Sequence, residues 1–254
     1  MAWHDGTATF RWGEANRAAT VNGVELTVER RFRGPSTSGN GGYVGGALAG
    51  FLTHTADIGV TVTLRNPPPL EVPLDIAHAD GGLRLLGGST LVAEAFPAAD
   101  AELVAVPPID LAAARTAAAT YPGLTRHPFP ECFVCGPLRP PGDGLRLFPG
   151  RLGDGRTACI WDVTDDVAGE AQFVWSALDC PSGWAAPIEG RPMVLGRMTA
   201  QLSDAPEAGE SCVVMGLFLK TEGRKTWTRS TAYGSDGREL GRAEALWITL
   251  LPAT

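Results

Sequence analysis

The sequence has no surplus of basic residues. Its 254 residues include 21 Lys and Arg against 28 Asp and Glu, so the formal net charge is −7. Sequence-independent binding to nucleic acid depends on Lys and Arg that displace counterions from the phosphate backbone, and an acidic chain is poorly suited to it. We therefore expect no nucleic-acid partner, and we expect a small molecule or another protein instead.

Long hydrophobic runs are also missing from the sequence. No window approaches the roughly 18 apolar residues of a membrane-spanning helix. The first 14 residues, MAWHDGTATFRWGE, carry charges at positions 5, 11 and 14 and no apolar segment of signal-peptide length. Five cysteines, an odd number, favour reduced thiols over a disulfide framework in a chain without a secretion signal. These features predict a cytoplasmic protein with no membrane partner.

A hydrophobic fraction of 44% is enough to form a core, and the predicted elements occur in the same order twice. In the first half, strand signals near residues 8–14 and 22–33 and a glycine-rich segment come before three β-like runs, DIGVTVTLRN, LEVPLDIAHA and LRLLGGSTLVAEAFPA. In the second half, the strands GLRLFPGRL and TACIWDV and the helix AQFVWSALDCPSGWAA come before four further strand patterns. An Ala- and Pro-rich connection with a short helix separates the halves. The order predicts a duplicated α+β unit, with domains 1–115 and 116–254.

The glycine-rich segment GPSTSGNGGYVGGALAG, residues 34–50, does not match a nucleotide-binding loop. Asn40 and Gly41 stand where the phosphate loop of nucleotide hydrolases requires Lys and Ser or Thr. A dinucleotide fingerprint requires a third glycine where Val44 stands, and alternating βαβ units are missing. A nucleotide ligand is therefore disfavoured.

The residues after the first glycines predict a buried helix, because apolar side chains occur around most of its circumference. Its interior glycines, Gly45, Gly46 and Gly50, cost about 1 kcal/mol each relative to Ala, which suits a place where backbone or a ligand must approach closely. The helix begins near residues 38–42, where free backbone N–H groups and the positive end of the helix dipole favour negative charge. Two interpretations stay open: a structural cap, or a site that stabilises an oxyanion.

Two segments resemble a known fold family. NGGYVGGALAG resembles the HGG helix start of hotdog-fold thioesterases of the phenylacetic-acid-degradation type, with Asn40 in the histidine position. ECFVCGPLRPPGDGLRLFPG resembles the CFxCGxxNPxGL segment that many of these proteins carry. Two such units in one chain resemble the double-hotdog acyl-CoA thioesterases of the thioesterase II type. The resemblance implies two tandem hotdog domains, each a long curled antiparallel sheet wrapped around a buried helix.

Asp179 interrupts an otherwise largely apolar helix in the second half, and a buried carboxylate needs a partner. It could bond to Ser176 or to backbone groups, or it could be catalytic. In the family, the catalytic acid lies nine positions after the histidine of HGG, and the corresponding position after Asn40 is Ala49. Counting back nine from Asp179 gives Glu170, which is not followed by glycines. The first half thus has the glycines without the acid, and the second half has the acid without the glycines.

The resemblance implies one working site between the two helices and one pseudo-site. The amides at the helix start would hold the thioester oxygen, and the acid would activate water or attack the carbonyl itself. The implied catalytic residues are Asn40, Gly41, Gly42, Asp179 and, for positioning water, Thr199. The expected substrate contacts are Tyr43, Gln172, Trp175, Ser182 and Arg33, and the pseudo-site would lie at Ala49 and Gln172.

The activity that the resemblance implies is acyl thioester hydrolysis without a cofactor, on acyl-CoA or an acyl-carrier-protein thioester. Two other functions stay open. Hydration or dehydration of acyl thioesters on the same fold commonly uses a His with the acid, and we expect no His on or near the second helix, which counts against this function. The other alternative is thioester binding without catalysis. Exposed sheet edges could also pair copies of the chain into a homo-oligomer.

The cysteines give a weaker signal. Cys132-x-x-Cys135 has the spacing of zinc ligands, but no second pair follows it, and Cys180 is isolated in an apolar run. We therefore expect no metal. His127 lies near Cys132 in the sequence, but one His and one Cys do not make a nucleophile unless they are in contact.

Three basic residues, Arg30, Arg31 and Arg33, precede the glycine-rich segment. On a strand they would form a solvated edge, or they could meet the phosphates of coenzyme A or an acidic carrier protein. His54, at the end of the first predicted helix, is expected to be a helix-terminal or packing residue rather than a base.

Overall fold

The computed structural model describes residues 24–52 and 58–251. The strand predicted near residues 8–14 and the position of His54 lie outside them. The strands within the described ranges are β1 (Glu25–Thr27), β2 (Gly59–Leu64), β3 (Pro73–Ala79), β4 (Gly82–Gly87), β5 (Thr90–Ala98), β6 (Gly150–Arg151), β7 (Arg156–Asp162), β8 (Met193–Leu202), β9 (Ser211–Glu222), β10 (Lys225–Tyr233) and β11 (Glu239–Thr249). The helices are α1 (Gly41–Ala49), α2 (Leu111–Ala118) and α3 (Ala171–Gly183), with short 3-10 helices at Arg30–Phe32 and Pro122–Leu124. No helix in the described ranges is long and apolar enough to cross a membrane.

All the strands named above form one antiparallel sheet, in the order β1-β3-β4-β5-β2-β8-β11-β10-β9-β7-β6. Outward from the central β2–β8 pair, one half runs β2-β5-β4-β3-β1 and the other runs β8-β11-β10-β9-β7, with β6 added at its end. Helix α1 precedes β2, and α3 precedes β8. The two halves therefore repeat one topology, and the predicted α+β fold of two tandem hotdog units is confirmed.

The connection between the halves contains α2, and the division proposed at residues 115 and 116 falls inside this helix. Asp110 caps α2 by accepting a hydrogen bond from the Ala113 amide at 2.8 Å. Buried Ala114 and Ala117 pack with Ala158, Val213 and Met215 of β7 and β9. Helix α2 is thus anchored on the second half of the sheet.

Helices α1 and α3 pack against each other, and glycines allow their close approach. A Cβ atom on Gly42 would lie 2.6 Å from the Cβ of Asp179, and one on Gly46 would lie 2.7 Å from the Cα of Gln172. On either side of this contact, Val44 and Leu48 are fully buried against the sheet. The close approach that the interior glycines predict is therefore an approach by the backbone of α3.

Three predicted strands differ from the structure. The run LRLLGGSTLVAEAFPA is a hairpin rather than one strand, because Gly88 adopts a φ of +60° between β4 and β5. Most of GLRLFPGRL is irregular, since the amides of Leu145 and Leu147 donate to the carbonyls of Phe133 and Val134 instead of to a strand. The strand predicted over residues 22–33 ends at Thr27, and two of the three arginines lie in a 3-10 helix.

Glu210 and Arg238 join the start of β9 to the turn before β11. Glu210 Oε1 accepts hydrogen bonds from Arg238 Nη1 and the Ser235 amide, both at 2.7 Å, and its Oε2 accepts from Arg238 Nη2 at 2.8 Å and the Glu207 amide at 3.0 Å. Partial burial raises the pKa of the Glu210 carboxyl group, but these hydrogen bonds lower it by a larger amount. The resulting pKa is about 2. The carboxylate is thus stabilised in its charged form.

Glu210→Gln is expected to lower the free energy of unfolding by about 1–2 kcal/mol near pH 7, because charged hydrogen bonds are lost. The pKa of Glu210 in the folded state lies below its ordinary value of 4.5. The stabilisation is therefore complete above pH 4.5 and is lost as the pH falls through about 2. Urea unfolding of both proteins at neutral and acidic pH measures the difference. Glu222→Gln, whose side chain is 63% exposed, is the control. A difference that did not shrink on acidification would contradict this assignment.

Candidate functional site

The start of α1 is capped by Asn40, which is buried. Its Oδ1 accepts a hydrogen bond from the Tyr43 amide at 2.9 Å, and its carbonyl accepts the first helical bond, from Val44. The Gly42 amide donates to the carboxylate of Asp179. Gly41, in the first turn, has an amide with no acceptor within the helix, and the residue lines a cavity.

Asp179 lies inside α3 and is 2% exposed. Its Oδ2 accepts hydrogen bonds from Asn40 Nδ2 at 2.8 Å and from the Gly42 amide at 3.1 Å. Ser176 is not its partner, since the Ser176 hydroxyl donates to the Gln172 carbonyl at 2.7 Å. Among the described residues, Asp179 Oδ1 has no hydrogen-bond partner. One carboxylate oxygen is therefore fixed by two hydrogen bonds, and the other is buried without a partner.

The Asp179 carboxyl group is more easily protonated in this site than it would be in bulk water. Burial, and nearby Cys132 when it is ionised, raise its pKa, the hydrogen bonds from Gly42 and Asn40 partly offset this, and the resulting pKa is about 7. Strongly shifted carboxyl groups in clefts are typical of functional sites.

A cavity of about 480 Å³ adjoins the two helices. Asn40, Gly41 and Asp179 contribute to its wall from both halves of the chain. Apolar side chains cover much of the remaining wall: Leu64, Trp184, Ile188, Met193, Leu195 and Trp247. A volume of this size, with an apolar wall and a few polar groups, is typical of small-molecule sites.

The structure brings four of the predicted catalytic residues together, and it places the fifth elsewhere. Asn40, Gly41, Gly42 and Asp179 meet at the contact of α1 and α3. Thr199 lies on β8 opposite β2, where its hydroxyl is 2.8 Å from that of Thr61, and it does not line the cavity.

The five residues expected to contact substrate lie outside the wall of this cavity. Tyr43 stacks on Phe32 at a centroid distance of 4.0 Å, and Trp175 packs over Gly45 and Gly46. Gln172 donates to Glu170 at 3.3 Å, and Ser182 donates to the Asp179 carbonyl at 2.9 Å. Arg33 forms an ion pair with Glu131 at 3.1 Å and does not lie on a strand.

The cavity wall also contains polar residues that sequence reasoning did not assign to it: His127, Cys132, Cys135, Cys180 and Arg224. The expectation that no His lies near the second helix is wrong. The His127 ring is 5.0 Å from the ring of Trp184, the C-cap residue of α3. Burial lowers the pKa of His127, so the neutral imidazole is favoured.

Comparison with known proteins gives the same fold. No family model and no curated protein sequence matches the chain significantly. A solved structure of a proposed thioesterase from Novosphingobium aromaticivorans is similar with a TM-score of 0.60 and 12% identity, over 89% of this chain and 95% of that one. A proposed thioesterase II from Thermobifida fusca has a TM-score of 0.58 and 12% identity, over 93% and 97%. A conserved protein of unknown function with a hotdog fold, from Alicyclobacillus acidocaldarius, has a TM-score of 0.57 and 10% identity, over 90% and 93%. At these identities the similarity shows the hotdog fold alone.

Proposed function

We propose that this chain hydrolyses acyl thioesters, with acyl-CoA as substrate, at one composite site between α1 and α3. The observation that carries the proposal is the state of Asp179: a buried carboxylate with Oδ2 fixed by the first helix and Oδ1 unpartnered, in the wall of a cavity. The proposed thioesterase function of two structurally similar proteins supports the same reaction. The large majority of buried polar atoms in folded proteins have a hydrogen-bond partner.

In the proposed reaction, Asp179 Oδ1 takes a proton from a water molecule, and the hydroxide attacks the thioester carbonyl carbon. The Gly41 amide and the positive end of the α1 dipole stabilise the negative oxygen of the tetrahedral intermediate. The carbon–sulfur bond then breaks, and the departing thiolate recovers the proton from Asp179. Asn40 holds the carboxylate in position throughout. An acyl adduct on Asp179, found by mass spectrometry of rapidly quenched enzyme, would show direct attack instead.

The first test is thiol release from short, medium, long and aromatic acyl-CoA substrates, followed with a thiol-reactive dye. Hydrolysis of at least one substrate class by the folded protein is the expected result. If neither an acyl-CoA nor the matching acyl-carrier-protein thioester releases thiol, the hydrolase proposal is overturned.

A second candidate function is hydration of enoyl thioesters, and the position of His127 favours it. This ring lines the same cavity as Asp179, which supplies the His and acid pair that such reactions commonly use. Its Nε2 lies 3.3 Å from Cys135 Sγ. Crotonyl-CoA separates the two functions, because hydration removes the absorbance of the conjugated double bond without releasing thiol, and hydrolysis releases thiol.

Arg224 is expected to bind a phosphate of coenzyme A. It lies exposed at the β9–β10 turn and lines the cavity. Its Nε donates to the Thr249 carbonyl at 3.0 Å, which orients the guanidinium.

Arg224→Ala should raise KM for acyl-CoA about tenfold and leave kcat nearly unchanged, since the lost contact is remote from the reacting atoms. Thiol-release kinetics with acyl-CoA and with an acyl-pantetheine that lacks the phosphates measure the effect, which should be absent for the second substrate. Arg84→Ala, an exposed residue of β4 paired with Asp80, is the matched control. Equal KM changes for both substrates would contradict a phosphate contact.

A further inference from the structure

Three cysteine sulfurs meet in the wall of the cavity. Cys132 and Cys135 lie in the segment that follows the connection, and Cys180 lies on α3, directly after Asp179. The three Sγ atoms lie within 4.8 Å of one another, and those of Cys132 and Cys180 are 3.8 Å apart. All three residues are buried, all are free thiols, and all line the cavity.

The distance between the Cys132 and Cys180 sulfurs matches that of two sulfurs on a tetrahedral zinc ion. Zn–S bonds of about 2.3 Å at tetrahedral angles hold two sulfurs about 3.8 Å apart. The distance between Cys132 and Cys180 has this value. Two cysteines separated by two residues, such as Cys132 and Cys135, are a common ligand pair for zinc. The third ligand comes from a distant helix, which the sequence spacing does not reveal.

The polar groups around the sulfurs suit thiolates. Asn40 Nδ2 lies 3.9 Å from the Sγ atoms of Cys132 and Cys180. His127 Nδ1 accepts a hydrogen bond from the Phe129 amide at 2.8 Å, so the neutral ring carries its proton on Nε2, next to Cys135 Sγ at 3.3 Å. Each sulfur thus has an N–H group nearby. Such outer donors orient metal-bound ligands and stabilise their charge.

Cys159 shows what a cysteine in a purely packing role looks like in this protein. It is fully buried in β7, with its thiol 3.7 Å from the Val214 carbonyl, and it does not line the cavity. Free cysteines of this kind pack as small hydrophobic side chains. The three clustered cysteines differ from it in their mutual contact, their N–H donors and their place on a cavity.

We propose that Cys132, Cys135 and Cys180 bind one zinc ion, with the fourth coordination position directed to the cavity and filled by water. Three protein ligands with one exchangeable position are the usual composition of zinc sites that contact ligands. The ion would tie the Cys132–Cys135 segment to α3 beside Asp179. This inference does not depend on the proposed hydrolysis, since it concerns the metal content of the protein.

Protein produced in zinc-supplemented medium and purified without chelators is expected to contain about one zinc per chain by elemental mass spectrometry. Cys180→Ala and Cys135→Ala should reduce the zinc content to background. Cys159→Ala and Cys212→Ala, at buried cysteines outside the cluster, are matched controls and should keep it. Circular dichroism establishes that each variant is folded.

The wild-type protein provides a test that needs no variant. After removal of zinc by a chelator, titration with Co²⁺ should produce a sulfur-to-cobalt charge-transfer band and the strong visible absorption of a tetrahedral site, both abolished by one equivalent of zinc. Zinc should also raise the Tm of the stripped protein, because a ligand of the native state stabilises it. A wild type with neither zinc nor a cobalt band, a disulfide between Cys132 and Cys180 in the freshly isolated protein, or full zinc in Cys180→Ala would each overturn the proposal.

Discussion

Asp179→Asn is expected to lower kcat for thioester hydrolysis by about a thousandfold, because an amide cannot take the proton that general-base catalysis requires. The substitution keeps the size of the side chain. The amide oxygen of the new residue can accept the same two hydrogen bonds, from Asn40 Nδ2 and the Gly42 amide, that Asp179 Oδ2 accepts now. KM should change little, since the proposed contacts with the acyl chain and with coenzyme A remain. Thiol-release kinetics at saturating acyl-CoA measure the loss.

Two controls make the Asp179→Asn result interpretable. Urea unfolding should show a stability at least equal to that of the wild type, because a neutral amide is less costly to bury than a carboxylate. Asp75→Asn, at an exposed position of β3, should leave the kinetics unchanged. If a folded Asp179→Asn protein kept more than about a tenth of the wild-type kcat, the activity would remain but Asp179 would not be its base.

Much of the fold could be predicted from the sequence because the second half follows simple rules. The strands β7 to β11 have apolar residues on the buried face and are bounded by Gly and Pro, and each was predicted near its observed position. In the first half, the predicted strands differ from the observed ones at places where local backbone conformation determines the secondary structure. A hairpin at Gly88 and a 3-10 helix at Arg30–Phe32 depend on local φ values and tertiary packing that apolar alternation does not encode.

The meeting of Asn40, Gly41 and Gly42 with Asp179 could also be predicted, because each half lacked what the other supplied. The structure adds a detail that changes the proposed chemistry. The Gly42 amide is occupied by Asp179 Oδ2, which leaves the amide of Gly41, a residue of the cavity wall, as the proposed donor to substrate. The hydrogen-bonding state of a single amide depends on side-chain geometry, and sequence patterns do not contain that information.

The cysteine cluster and His127 show the limit of reasoning from spacing. Cys180 is 48 residues from Cys132, and only the packing of α3 against the preceding segment brings the two sulfurs together. The spacing of Cys132 and Cys135 is recognisable in the sequence, but Cys180 belongs to no recognisable ligand motif. Trp184 and His127 are likewise brought together by tertiary contacts.

The second large effect is expected from Gly46→Ala, which should lower the free energy of unfolding by about 2–3 kcal/mol. Helix propensity alone predicts the opposite sign, since Ala stabilises a helix interior by about 1 kcal/mol relative to Gly. Packing should decide, because the added Cβ would lie 2.7 Å from both the Cα of Gln172 and the Cβ of Trp175. A backbone atom cannot move aside without separating α1 from α3.

Gly45→Ala is the matched control, one residue away on the same helix. Its Cβ would lie 3.3 Å from the Trp175 ring, and a side-chain ring can shift by the few tenths of an ångström required. Its stability should therefore change by less than about 1 kcal/mol. Urea unfolding of both variants, with an unchanged dependence on denaturant, separates the two effects. A stability of Gly46→Ala equal to or above that of the wild type would mean that the packing of α1 against α3 does not require glycine at position 46.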